Sequence, residues 1–255
     1  MVYLLYYLEA FFFLKFSFQK KKKMARKILL LSFLLSFLSN YSQDSIAYFS
    51  DALRLNINSY NAASNRAFEN KDFNEGKRLF DSLVQYKLIG TRFDDFTVKG
   101  YNSKDVILNN ISKPILLVTY TSWCILNKGD APALNELAKK YPENLQIIIL
   151  FWDKKQNLKK IATQFSNAIK ICYANESYAN DFRIIATLKH TLGIPTVFFI
   201  DEDKKVVNIN RIKNHYKPKI SFDTASTISY DLFDQMINPY LNKITSNSAI
   251  VNNND

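Results

Sequence analysis

Covalent staples and backbone punctuation are scarce in this chain: its 255 residues include two cysteines, five glycines, six prolines and two histidines. Two cysteines cannot cross-link a fold of this length, which excludes a disulfide-built miniature scaffold, and the few glycines exclude a collagen-like chain. His190 and His215 have no second His, Cys or carboxylate at ligand spacing, so no metal site is expected, and nothing in the sequence asks for a cofactor. Lys213, Lys217 and Lys219 around His215 read as a solvated loop rather than an anion site. No apolar run reaches, without interruption, the ~18–20 residues that a membrane-spanning helix needs. What the chain does have is 47% apolar and 15% aromatic residues, enough to fill a sizeable core. Disorder throughout is thereby excluded, and the length suits one full-sized domain with attachments.

The formal charge of +11 resembles a nucleic-acid signal until its distribution is considered. Seven of the 34 basic residues and one of the 23 acidic ones lie in residues 1–42, so the remainder carries only +5, ordinary for a solvated surface. No nucleic-acid partner is expected. The basic stretch is an address instead: Met24-Ala25-Arg26-Lys27 supplies a positive start, Ile28 to Leu38 an apolar run broken only by serines, and Ser42 a small residue at the cut. That pattern is a bacterial-type export signal. Ahead of it, Val2 to Phe18 form a second apolar run ending in Lys20–Lys23, which reads either as sequence upstream of a true start at Met24 or as an uncleaved anchor. The run lengths favour the first. No cysteine follows the apolar run to take a lipid, so any membrane contact would be through residues 1–38, if uncleaved. Export places the rest in the periplasm or cell envelope, an oxidising or redox-managed compartment in which both cysteines matter.

Beyond the signal, residues 43–89 carry apolar positions at helical spacing (Ile46, Phe49, Leu53, Ile57, Tyr60, then Phe73, Leu79, Phe80, Leu83) and predict two helices broken near Glu69–Asp72. This helical extension faintly resembles one tetratricopeptide unit, but a lone unit cannot bury its own face, so the pair is expected to pack on the main domain. From Gly90 the period changes. Phe93–Val98 and Val106–Leu108 read as strands around a Gly100-centred turn, and Pro114–Tyr120 and Leu145–Trp152 as buried strands. Ile169–Tyr173, Thr196–Ile200 and Lys205–Arg211 complete the set, with helices over 130–141, 154–165, 178–191 and 230–241. Strands alternating with helices predict an α/β fold, a central sheet flanked by helices, over residues 90–244, followed by a loose tail at 245–255.

The chemistry concentrates in Thr121-Ser122-Trp123-Cys124-Ile125-Leu126-Asn127-Lys128, between a buried strand and a helix. Backbone N–H groups and the positive end of a helix favour thiolate over thiol at such a place, making Cys124 the candidate nucleophile. Here the chain resembles the thioredoxin-like superfamily, and within it the exported TlpA-type redoxins. The resemblance runs over about residues 90–243: Phe93 and Phe96, Trp123-Cys124, Asp130, Pro132, Leu134 and Leu137, then Gly193-Ile194-Pro195-Thr196 at the place of the family's cis-proline strand. It implies thiol–disulfide chemistry at Cys124 on a protein or low-molecular-weight thiol or disulfide. Trp123, Asn127, Ile194 and Pro195 would form the substrate surround, with the Ile194 backbone pairing with an incoming peptide.

Two departures bear on that implication. The second cysteine of the family's Cys-x-x-Cys is Asn127, and Val118 occupies the place of the acid that thioredoxins carry six positions before the first cysteine. Dithiol turnover has no local resolving nucleophile, which leaves one-cysteine exchange through a mixed disulfide released by an external thiol. Asn127 can donate to the Cys124 thiolate. The rival readings are a non-catalytic binding or scaffold protein on the same fold, and a one-cysteine peroxidase suggested by the Thr121-x-x-Cys124 spacing. Cys172, on the Ile169–Tyr173 strand, is a buried small hydrophobe in the plain account and a possible second thiol in the other.

Overall fold

The computed structural model describes residues 47–123, 127–212 and 220–251, the stretch 243–251 by backbone alone. The expected export signal and upstream run, the loop lysines with His215, and Cys124 itself lie outside the described residues. Those described fall in one compact unit beginning at Ile46.

Two helices lead the chain. α1 spans Phe49–Glu69 and α2 Phe73–Leu83, continued by one wide turn over Val84–Leu88. The break falls at Asn70–Asp72, where Lys71 takes a positive φ of 55° and Asp72 caps α2 by accepting from the Glu75 amide. α1 has no capping side chain of its own, since Tyr48 stands at its N-cap. The Asp94 carboxylate supplies the cap from a distance, accepting from Ser50 N at 2.8 Å and Ser50 Oγ at 2.7 Å.

The seven strands are β1 Thr97–Gly100, β2 Val106–Ile107, β3 Ile115–Tyr120, β4 Gln146–Phe151, β5 Lys170–Tyr173, β6 Thr196–Ile200 and β7 Val206–Arg211. They form one mixed sheet in the order β2-β1-β5-β4-β3-β6-β7. β3, β4 and β5 run parallel, while β6, β7, β1 and β2 join antiparallel to their neighbours. The central strands β3 and β4 are apolar apart from Thr119 and Gln146, and side-chain alternation sorts them onto two faces. Ile115 and Leu117 of β3 join Phe49, Leu53, Phe80, Phe93 and Phe198 beneath α1 and α2. Leu116, Val118 and Tyr120 turn the other way, toward α3 (Asp130–Lys140) and the C-terminal helix.

Three helices differ from the periodicity reading. Only a 3-10 turn at Lys155–Leu158 and a single turn of helix, α4 (Lys159–Ala162), stand where 154–165 suggested a longer element. The expected 178–191 helix is a chain of short pieces: 3-10 turn Ala179–Asp181, α5 Phe182–Ile184, a wide turn Ile185–Lys189 and α6 His190–Leu192. Thr187 and Thr191 hydroxyls bond back to the carbonyls of Arg183 and Thr187, competition that loosens the regular ladder. Conversely α7 runs Phe222–Val251, beginning eight residues before the expected start at Tyr230. Ser221 caps it through Oγ, which accepts from the Thr224 amide at 3.1 Å. The turn placed on Gly100 lies over residues 101–104 instead. Gly100 ends β1, where a Cβ would come within 2.5 Å of the Lys104 carbonyl oxygen.

Candidate functional site

β3, an interior strand, delivers the motif to one end of the sheet. Its last residue, Tyr120, accepts at its carbonyl from Trp152 N, tying the ends of β3 and β4 together at 2.9 Å. The next residue but one is clamped: Asp153 accepts from both Ser122 N and Ser122 Oγ at 2.6 Å. Asp153 is buried, so the turn leading into Cys124 starts from a fixed point. Trp123 projects from it, 77% exposed. An exposed indole contributes no core packing, which leaves it available to cover a ligand or the neighbouring sulfur. Cys124, Ile125 and Leu126 lie outside the described residues.

The chain returns at Asn127, buried, and the regular helix begins only at Asp130. α3 is therefore preceded by a turn over residues 127–129 rather than starting at Asn127. Beneath this turn sits a polar cage. Asp130 is almost wholly buried; its Oδ2 accepts from Tyr120 Oη at 2.9 Å and its Oδ1 from Ser229 Oγ at 2.6 Å, with Asn127 Nδ2 at 3.5 Å. The Asp130 amide donates to the Asn127 carbonyl at 2.9 Å. Burial pushes the Asp130 carboxyl above the usual range, and the bonds from Ser229, Tyr120 and Asn127 pull partly against it. α7 is pressed onto the same turn: a Cβ at Gly129 would lie 2.1 Å from the Ala225 carbonyl oxygen. Nothing in the sequence reading pointed to Asp153, Tyr120, Ser229 or Gly129. An isolated acid after a buried strand was the one visible signal for Asp153.

Opposite this turn, β6 begins. Thr119 pairs with Thr196, and Thr119 Oγ1 donates to the Thr196 carbonyl and accepts from the Thr196 amide, both at 3.1 Å. The residues just before Thr196 therefore share that end of the sheet with the residues just after Tyr120. These are Gly193, at φ 84°, and Ile194-Pro195, joined by a cis peptide bond. The Pro195 carbonyl accepts from Ile212 N at 3.2 Å, whereas no hydrogen bond among the described residues engages the Ile194 amide or carbonyl. Of the predicted surround, Trp123, Asn127, Ile194 and Pro195 thus gather at one end of the sheet. Val118 is apolar and fully buried in the α3–α7 core, so no carboxylate stands at its place; Asp130 brings one to the same face from the other side of the motif.

Cys172 is elsewhere in the sheet, on β5 between Leu150 and Gly100, fully buried. Burial pushes its thiol up to about 12. At that value the thiolate is negligible at neutral pH, the state expected of a packing residue.

The AhpC/TSA family model matches residues 89–209, spanning β1 through most of β7 and both halves of the candidate site. The fold is thioredoxin-like. The match, the strand order and the cis Ile194–Pro195 bond at the head of β6 agree on it. Among solved structures, a Chlorobium tepidum protein assigned as the thiol:disulfide interchange protein DsbE is 21% identical, covering 60% of this chain and 97% of that one, with a TM-score of 0.45. A secreted Mycobacterium tuberculosis disulfide oxidoreductase homologous to E. coli DsbE is 16% identical over 52% of this chain and 92% of its own, TM-score 0.39. The thioredoxin domain of a Bacteroides vulgatus thiol-disulfide oxidoreductase is 15% identical over 58% and 97%, TM-score 0.44. No curated protein matches the chain. Among the described residues of this thioredoxin-like chain, no helix is long and apolar enough to cross a membrane.

Proposed function

We propose that this chain is an exported thiol–disulfide exchange protein that works through a single cysteine, Cys124, with Trp123, Asn127, Ile194 and Pro195 as its substrate surround. The observation that carries the reading is the meeting, at one end of the sheet, of the clamped turn entering Cys124 and a loop in which the Ile194 amide and carbonyl bond to nothing among the described residues. Unengaged backbone beside a nucleophile suits an extended polypeptide docking as an added strand.

In the proposed cycle the Cys124 thiolate attacks one sulfur of a client disulfide. A mixed disulfide forms, the client S–S bond breaks, and the departing client thiolate takes a proton from solvent. Asn127 has no thiol to resolve the adduct, so an external low-molecular-weight thiolate attacks the client sulfur, releasing Cys124 as thiolate and leaving the client joined to the small thiol; a second small thiolate attacks that small-thiol sulfur, freeing the client thiolate and forming the small-molecule disulfide. Cys172, buried and protonated, takes no part. Residues 24–42 serve as the export signal, residues 43–89 as a helical extension and 90–244 as the thioredoxin-like domain, with the cell envelope as the working compartment.

Reduction of insulin disulfides by glutathione, with wild type and Cys124→Ser side by side, tests the reading. The expected outcome is a rate above the glutathione background for wild type that falls to background in the variant. Equal rates in both would remove the enzyme and leave a binding protein on the same fold. Peroxide consumption by the same pair tests the peroxidase alternative.

A further inference from the structure

On the face away from the motif, α1, α2 and the end of β7 enclose a groove of about 290 Å³. Phe68 and Phe73 form its outer walls, 74% and 72% exposed, Phe80 its inner wall, and Gly76 leaves its floor open, since a Cβ there would meet nothing within 4 Å. Two large exposed phenyl groups facing one cavity are costly in water unless something covers them.

The charges around the groove are committed except for one. Lys77 and Asp81 pair with each other at 2.6 Å, and Asp72 is occupied at the N-terminus of α2. Arg211 lies flat on Phe80, its guanidinium carbon 4.1 Å from the ring centre, and Nε donates to the Leu192 carbonyl at 2.5 Å. Its two terminal amino groups have no carboxylate or other hydrogen-bond partner among the described residues. A guanidinium held by stacking and by one bond presents its remaining fork for a planar anion. The groove ends against the loop that precedes Pro195: a Cβ on Gly193 would lie 3.7 Å from Arg211 Nε.

We propose that this groove binds a polypeptide segment of a partner protein in which a Glu or Asp carboxylate, seated on Arg211, is flanked by an aromatic or aliphatic side chain held between Phe68, Phe73 and Phe80. The aromatic walls require an apolar group next to the anion, which a bare phosphate lacks. Asp72 and Asp81 on the rim oppose a polyanion such as nucleic acid. A polypeptide, unlike a small acid, can continue from the groove past Leu192 to the Ile194 backbone, which bonds to nothing among the described residues. The groove itself contains no residue of the cysteine site; the choice of a polypeptide over a small acid rests in part on the proposed role of Ile194, and peptide binding measured without any thiol reads the groove apart from the exchange chemistry.

The test is an array of acetylated nine-residue peptides permuting Phe, Leu and either Glu or Gln, probed with the full chain. Hits are followed by ¹⁵N chemical-shift mapping and titration. Glu-containing peptides are expected to bind at least ten-fold more tightly than their Gln counterparts and to shift the amides of Gly76, Asn210 and Arg211. Arg211→Gln should abolish the preference for Glu. Gly76→Leu, which plugs the floor without disturbing a packed neighbour, should abolish binding while leaving the thermal melt at or above wild type. No bound peptide, Glu and Gln peptides bound alike, binding unchanged in Gly76→Leu, or 3-phenylpropanoate bound as tightly as the peptides would each overturn the proposal.

Discussion

At the level of single residues, the decisive group is Asp130. Its three donors come from β3, from α7 and from the turn after the motif, so removing the carboxylate takes a buried acceptor from all three at once. Asp130→Ala is expected to cost about 3 kcal/mol, read from urea unfolding. The pH dependence has a definite sign. A carboxyl whose folded pKa is raised holds its proton more tightly in the folded chain than in the unfolded one. Its contribution is complete below the unfolded value of about 3.9 and is lost as pH climbs through the raised folded value. The stability of wild type relative to Asp130→Asn should therefore fall as pH rises above about 4 and level off once the folded group is ionised; a difference independent of pH would refute this. Cys172 gives a second residue-scale expectation. With its thiol pushed up to about 12 and no exposed surface, it should resist iodoacetamide at pH 8 in the native chain and react once denaturant is added, as mass spectrometry of peptides containing residue 172 will show.

Between elements, two contacts hold what the site needs. Gly129 and Ala225 bring α7 against the start of α3, closer than any side chain permits. Gly129→Ala must push the two apart, with an expected loss of about 2 kcal/mol and altered amide exchange at the 127–130 turn. Asp94 is the remote cap of α1 and also accepts from Arg183 Nη2 at 2.9 Å, joining the helical pair to the segment before the Ile194–Pro195 loop. Asp94→Ala should cost about 2 kcal/mol and raise hydrogen exchange first in the opening turns of α1. The strands of this layer were legible because a buried β-strand writes its burial into consecutive residues: Pro114–Tyr120 is apolar but for Thr119, and Leu145–Trp152 but for Gln146. The start of α7 was not, because Phe222–Ser229 is mostly polar and helical there through Ser221 and the contact with Gly129.

Across the whole molecule, the helical extension and the sheet share one core. Phe49 packs edge-on to Phe198 with ring centres 5.9 Å apart, and 5.3 Å from Phe93, while Leu88 is fully buried in the same cluster. Each such side chain is worth about 1.5–3 kcal/mol on burial, so a fragment beginning at residue 90 gives up a large part of an ordinary domain's net stability. It is expected to bind 8-anilinonaphthalene-1-sulfonate and to unfold without a cooperative transition, whereas a chain beginning at residue 44 melts cooperatively. A cooperative melt of the shorter fragment would show residues 90–244 to be an independent domain.

Sequence alone determined the alternation of strands and helices, the helical pair broken near Glu69–Asp72, the proline-bearing loop before β6, and an asparagine rather than a cysteine at position 127. Each is written locally, in a period of two or 3.6 or in the identity of one residue. The tertiary structure decided the rest: that Asp130 is caged by residues 10 and 99 positions away, that Asp153 clamps Ser122 from 31 positions on, and that Arg211 reaches a groove built by α1 and α2. These depend on which side chains the fold brings together after long loops close, and such pairings leave no periodic trace in the chain.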